Sequence, residues 1–322
     1  MRVIAANKIT LTKLLKYVNL KGSLYFIFVI IFSIANLSCK EEQKYKGPQI
    51  KDYPLTQITK TYHFAIHPLH NPAKLVEEYQ PLMNYLSERI EGITFKAEAS
   101  RDYGKFEEKY KNRKSEFILP NPWQTIQAMD NGYSVIAMAG EAKDFKGIFI
   151  ARKDNTLKTP LNLKGEKVSY PSPTALAACI MPQYFLYING INVPKDIENK
   201  YVGSQESSIM NVFLNKTAVG ATWPPPWRAF QKDHPKEALA LKVIWETESL
   251  INNSVMVRDD VPINIKEQVS KLLTTLHTSK QGREILFGME TARFFSANNK
   301  SYDTVKNYIK RFEREVRKIK VE

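Results

Sequence analysis

The chain has 322 residues, 43% of them hydrophobic and 25% charged, with 13 Gly and two Cys. That length and composition suit one large or two ordinary globular domains, and they exclude a disordered, collagen-like or solenoid chain. Two Cys are too few for a disulfide scaffold or a Cys-rich zinc module. The net charge of +14 favours anionic ligands or membrane surfaces in general without choosing one.

Residues 1–39 carry Arg2, Lys8, Lys13, Lys16 and Lys21 and no acid, then an apolar run from Leu24 to Ile34, then Ala35-Asn36-Leu37-Ser38-Cys39. This is the layout of a secretory signal peptide, and the run is short for a spanning helix. Cys39, placed directly after Ser38 and before hydrophilic residues, resembles a bacterial lipoprotein cleavage site, although Asn36 stands where a large aliphatic residue is usual. The expectation is a signal peptide over 1–39, acylation of Cys39 and anchorage in a lipid bilayer, with an uncleaved N-terminal anchor as the alternative. Without the leader, 42 basic side chains face 33 acids, a net charge of +9. Nucleic acid is not an expected partner, because the chain is exported and has no basic-aromatic recognition motif.

Residues 40–57 form a polar tether with Gly47-Pro48 and Pro54. Beyond it, short β-branched and aromatic runs alternate with helical patterns. Tyr62–Ile66 reads as a strand, and Asn71-Pro72 opens a helix whose stripe is Leu75, Tyr79, Leu82, Leu86 and Ile90. Ile93–Ala97 is a strand, Tyr103–Arg113 a charged helix, and Glu116–Leu119 a strand broken by Pro120-Asn121-Pro122 before a helix over Trp123–Met129. Strands follow at Tyr133–Ala139, Gly147–Ala151 and up to Tyr170, then a long apolar helix over Ala175–Ile188. Tyr201-Val202 and Ala218–Ala221 are short strands around a helix from Ser207 to Leu214; extended chain returns at Val243–Val257, and the C-terminal part is helical. Alternation of this kind predicts an α/β fold with mainly parallel sheets. Crossings near 155 and 245 divide it into one lobe of 58–155 plus 246–322 and a second of 156–245.

In open α/β sheets, ligands lie beyond the carboxyl ends of strands, where helices begin and backbone N–H groups favour anions. Five such junctions occur: His67–Asn71, Leu119–Trp123, Tyr170–Ala175, Gly203–Ser207 and Thr222–Trp227. Each alone reads as ordinary capping, since Ser, Thr and Asn lead at caps; five together read as a cleft. Ser172 and Thr174 offer hydroxyls there, and Glu206 is the one carboxylate. Trp223 and Trp227 flank Pro224-Pro225-Pro226, which reads as stiff extended chain; the indoles either wall a ligand or pack the lobe. His67 and His70 have no Cys or spaced His beside them, so no metal is expected, and no cofactor either. Cys179, in an Ala-rich helix start, reads as a buried small hydrophobe. No Gly-x-Ser-x-Gly, Walker loop, His-Glu-x-x-His or dinucleotide turn is present, so capture rather than turnover is expected.

Several segments in order over roughly 60–300 resemble the substrate-binding proteins of phosphonate, phosphite and phosphate ABC importers. They are Ile66-His67-Pro68 with Tyr79–Leu86, Phe117–Pro122, Gly147–Asp154, Leu163–Val168, Ser172–Ala175, Val202–Glu206 and Trp245–Ser249. The resemblance implies a type II periplasmic-binding-protein fold: two lobes, a two-strand hinge and an interlobe cleft. It further implies a small anionic ligand bound by Ser172, Thr174 and Ala175, with Asn121, Trp123 and His67 contributing from the first lobe and Gln205, Glu206 and Trp223 from the second. The chain departs from the family pattern where Ala175 and Leu176 follow Thr174, where Thr125 replaces a Tyr, where Gln205 replaces a His, and where an acid is missing near Ala218-Val219. The resulting expectation is a monomeric, non-enzymatic capture protein in the periplasm or cell envelope, serving an ABC permease. The alternatives are a sensing module for a membrane histidine kinase, an enzyme using Glu206 or His67, and a surface lipoprotein that binds polyanions.

Overall fold

The structure, a computed structural model, describes residues 59–320. The expected signal peptide, Cys39 and the tether lie outside the described residues. In chain order the main elements are β1 (Lys60–Ile66), α1 (Pro72–Ser87), β2 (Ile93–Glu98), α2 (Tyr103–Lys111), β3 (Phe117–Leu119), α3 (Pro122–Met129), β4 (Tyr133–Ala139) and β5 (Ile148–Arg152). They continue with β6 (Lys167–Tyr170), a π-helical turn (Leu176–Ile180) running into α4 (Met181–Ile188), β7 (Glu198–Tyr201), α5 (Gln205–Phe213), β8 (Val219–Thr222), α6 (Pro224–Asp233) and β9 (Leu241–Glu246). The last are β10 (Ser254–Arg258), α7 (Ile263–Thr275), α8 (Lys280–Gly288), β11 (Phe294–Phe295) and α9 (Asp303–Glu315).

Two sheets result. The first runs β11-β4-β10-β3-β1-β2 and the second β7-β6-β8-β5-β9. β1 pairs in parallel with β2 and β3, and β6 with β7 and β8. β10, however, runs antiparallel to β3 and β4, and β5 antiparallel to β8 and β9. The sheets are therefore mixed rather than mainly parallel. The chain crosses from the first sheet to the second between β4 and β5 and returns between β9 and β10, so each arriving strand enters its sheet against the local direction.

These pairings move one boundary. Ile148–Arg152 hydrogen-bonds to β8 and β9, so the first crossing lies before residue 148 and not near 155. An apolar run announces a strand but not the sheet it joins. Extended chain over Val243–Val257 likewise resolves into β9 and β10 on different sheets.

Strands buried on both faces are held by aromatic contacts: Phe117 stacks on Phe64 at 6.0 Å and meets Phe95 edge-on at 5.4 Å. All three are fully buried, each worth about 1.5–3 kcal/mol of apolar transfer. In the second half, Ile148, Ile150, Ile209 and Val212 pack with Trp227 and Phe230. Pro224-Pro225-Pro226 is not an extended rod but the first turn of α6, where missing N–H groups cost no hydrogen bond.

Where the chain enters β5 it touches the start of the 176–188 helix. A Cβ on Gly147 would lie 2.5 Å from the Ala177 carbonyl oxygen and 2.7 Å from Pro182 Cγ. Gly147→Ala should therefore displace that helix start and cost about 1–3 kcal/mol of stability. Denaturant unfolding checks this; a midpoint equal to wild type would contradict the close packing.

Candidate functional site

The carboxyl ends of strands from both sheets converge on one small pocket. β1 delivers His67, β3 delivers Asn121, the turn after β6 delivers Ala175–Ala178, and β8 delivers Trp223. Tyr103, Phe145, Gln205 and Asn253 complete the lining. Its volume is about 10 Å³, which accommodates about one water molecule; the two halves stand against each other. A tetrahedral oxyanion needs more room, so its entry requires the halves to part.

The second half contributes backbone donors. The 176–188 helix opens with a π turn, so the first amide bonded back along the chain is that of Ile180, which donates to the Ala175 carbonyl at 3.1 Å. Among the described residues no acceptor takes the amides of Leu176, Ala177 or Ala178. All three residues are buried and all three line the pocket. Orphan first-turn N–H groups are normal at a helix start, but buried ones call for a partner, and the helix dipole favours an anion.

Side chains complete the wall. The Leu119 carbonyl accepts from both the His67 backbone N–H (3.1 Å) and Nδ1 (2.9 Å). A carbonyl cannot donate, so Nδ1 carries the hydrogen. Burial is the main cause that lowers the His67 pKa to about 4, with the Leu119 bond opposing and His70 adding to the depression. Gln205 donates to the Tyr103 hydroxyl at 3.0 Å and accepts from Thr222 Oγ1 at 2.8 Å, a chain that joins the two halves. Asn121 caps α3 by accepting from the Trp123 and Gln124 amides, and its Nδ2 donates to the Thr174 carbonyl at 3.2 Å. Trp223 meets Phe145 edge-on at 5.4 Å.

Of the nine residues expected at the site, His67, Asn121, Ala175, Gln205 and Trp223 line this pocket. The other four are placed differently. Ser172 and Thr174 are buried beside it, joined through their hydroxyls at 3.0 Å. Thr174 Oγ1 donates to Glu107 of α2 at 2.8 Å, so the hydroxyl turn is engaged by a carboxyl of the opposite half. Trp123 is buried within the core. Glu206 is half exposed on an outer groove, where its carboxylate pairs with His234 Nε2 at 3.2 Å. The side chain at 206 points away from Gln205 because successive residues at a helix start diverge by about 100°.

Sequence reasoning missed Tyr103, Glu107, Phe145 and Asn253. Tyr103 and Glu107 are one turn apart on α2, and that spacing was the available signal: Glu107 shares the inward face of Tyr103, Phe106 and Tyr110 on a helix whose other face is charged. Glu107 is buried, accepts weakly from Gln124 Nε2 at 3.3 Å, and has no hydrogen bond at Oε2. Lys111 Nζ approaches Oε2 only to 3.7 Å and is itself half exposed. Burial therefore dominates and raises the Glu107 pKa, with the Thr174 bond the largest opposing contribution.

Away from the pocket, ion pairs tie α6 to the first half: Lys74 to Asp233, and Arg228 and Lys232 to Glu290. Such exposed pairs contribute little each, about 0–1 kcal/mol. His70 Nε2 lies 3.3 Å from Glu78 Oε2, yet burial lowers His70 to about 4 and raises Glu78 to about 7, so near neutrality this contact involves an uncharged imidazole.

A family model for the periplasmic substrate-binding proteins of phosphonate ABC transporters matches residues 64–302. The chain belongs to that family. It is 26% identical over 185 residues to a protein of Prochlorococcus marinus named probable ABC transporter phosphite binding protein PhnD1, a match covering 53% of this chain and 62% of that relative's length. Among solved structures, PhnD1 from Prochlorococcus marinus in complex with methylphosphonate superposes with a TM-score of 0.72 at 19% identity, covering 79% of this chain and 99% of that one. A binding protein of a phosphonate ABC transporter from Pseudomonas aeruginosa gives 0.72 at 16% identity, covering 80% and 88%. These likenesses establish the α/β fold of type II periplasmic binding proteins, and the family is one of periplasmic transporter components.

The Glu107 contact has a pH signature. A carboxyl whose pKa is raised in the folded state contributes most at acid pH, and that contribution is lost as pH climbs from the ordinary glutamate range through the raised value. Glu107→Gln keeps an acceptor for Thr174 and carries no charge. It should raise stability near neutral pH by about 1 kcal/mol and flatten the slope over that range. Thermal unfolding at several pH values checks this; a variant less stable than wild type at neutral pH would show that the carboxylate itself is required.

Proposed function

We propose that the chain is an exported solute-binding protein that captures a small oxyanion of the phosphonate, phosphite or phosphate class between its halves and presents it to an ABC permease. The observation that carries this is the set of free amides of Leu176, Ala177 and Ala178 at a pocket where the carboxyl ends of both sheets meet. In this reading the amides take the anionic oxygens, Asn121 and Tyr103 add N–H and O–H donors, and Trp223 and Phe145 exclude water. Thr174 and Ser172 hold the turn through Glu107 and do not contact the ligand. The halves act as lobes that part about the crossings before β5 and before β10, so that ligand binding selects a closed state. Family membership and the methylphosphonate held by the Prochlorococcus relative support the ligand class. The leader and Cys39 support export and retention at the membrane by an acyl chain.

Isothermal titration with methylphosphonate, phosphite and phosphate tests the proposal. At least one should saturate a single site; flat traces with all three reject the ligand class. Ala178→Asp sets a carboxylate against the free amides and should abolish that binding while the far-UV circular dichroism stays that of wild type. Unchanged affinity in this variant would place the ligand elsewhere.

A further inference from the structure

The donors at the pocket are matched by an acceptor that no donor among the described residues satisfies. Nδ1 of His67 is committed to the Leu119 carbonyl at 2.9 Å, so the neutral ring offers the pocket a lone pair on Nε2. The ring cannot rotate to exchange its nitrogens without losing that bond, and Tyr103 and Phe106 hold it edge-on at 6.3 Å each. Asn253, 3% exposed and also lining the pocket, has its Oδ1 buried without a hydrogen-bond partner. Its amide can turn either end to a ligand; His67 presents only an acceptor. Among the described residues no Lys or Arg lines the pocket, so none of its lining side chains offsets a second negative charge.

Resting on the phosphonate-class reading above, we propose that this site binds the ligand as its singly protonated monoanion, with the ligand's P–O–H hydrogen donated to His67 Nε2 and its anionic oxygens on the amides of Leu176, Ala177 and Ala178. A dianion would set an oxygen lone pair against the Nε2 lone pair and bring a second buried charge without a cation. Both terms are unfavourable, and the second is the larger. Glu78 at about 7 and the burial-raised Glu107 titrate towards the same range, so the resonance of the bound ligand, and not the affinity slope alone, reports the ligand's protonation; the groups in contact with His67 do not add to this. His67 is held neutral by burial down to about 4. The groups facing it are His70 on its own loop, likewise lowered to about 4, the Tyr103 phenol from α2, whose ionisation burial pushes far up, and the uncharged Asn121, Gln205 and Trp223. Glu107, one turn beyond Tyr103, is occupied by Thr174.

The test is titration of the intact mature protein with methylphosphonate from below to above the ligand's second ionisation. Affinity should fall about tenfold per pH unit above that ionisation, and the phosphorus NMR resonance of the bound ligand should remain at the monoanion position where free ligand is dianionic. Methanesulfonate, a tetrahedral monoanion without a hydroxyl, should bind about 10- to 100-fold more weakly than monoanionic methylphosphonate. His67→Gln, which can offer an N–H to an oxygen lone pair, should flatten the pH profile. Binding that persists or strengthens above the second ionisation, or a bound resonance at the dianion position, overturns the monoanion assignment and leaves the phosphonate-class reading standing. No binding of methylphosphonate, phosphite or phosphate at any pH overturns both. The wild-type resonance decides the matter even where the variant fails to fold.

Discussion

A helix start buried between two sheets, with three amides left over by a π turn, is the constraint on which the remaining features depend. An N–H group removed from water without an acceptor costs about 1–3 kcal/mol. The chain meets this cost at Leu176, Ala177 and Ala178 together, so an arrangement that seats acceptors against them gains what this one lacks. Ala175, Ala177 and Ala178 carry side chains too small to block the approach. Gly147 has none at all where the incoming strand passes the Ala177 carbonyl. The surrounding residues can be read as consequences: small where the backbone must be reached, aromatic at Phe145 and Trp223 where water must be kept out.

What holds the halves together is mostly neutral and buried. Thr174 donates to Glu107, Gln205 joins Tyr103 to Thr222, and Asn121 reaches the Thr174 carbonyl. Each exchanges a bond to water for one within the protein, a net gain of about 1 kcal/mol, small enough for the halves to separate. The ion pairs among Lys74, Asp233, Arg228, Lys232 and Glu290 add little each and weaken with salt. In the proposed capture cycle these bonds are exchanged for water when the halves part, and a ligand's own contacts can shift such a balance.

The sequence carried those features whose cause is local. Asn71-Pro72 and Asn121-Pro122 announce helix starts because cap and first residue are neighbours, and both caps form. The convergence of strand ends followed from the alternation of strands and helices, and His67, Asn121, Ala175, Gln205 and Trp223 share a pocket. The features that stayed hidden depend on distant partners: Thr174 meets Glu107 from 67 residues away and Gln205 meets Tyr103 from 102. On a helix that reads as charged, the one local sign that Glu107 is the buried carboxyl is its place on the face of Tyr103, Phe106 and Tyr110. Pro224-Pro225-Pro226 was ambiguous for a different reason, because the backbone angle a proline imposes suits both an extended rod and a first helical turn, and the amphipathic residues that follow decide between them.

Amide hydrogen exchange at Leu176, Ala177 and Ala178, measured with and without saturating methylphosphonate, tests the central claim most directly. Exchange at these three positions should slow markedly on binding, since an oxyanion gives each N–H the acceptor it lacks. Unchanged exchange there while methylphosphonate binds would show that the anion sits on other groups and that this helix start is not its seat.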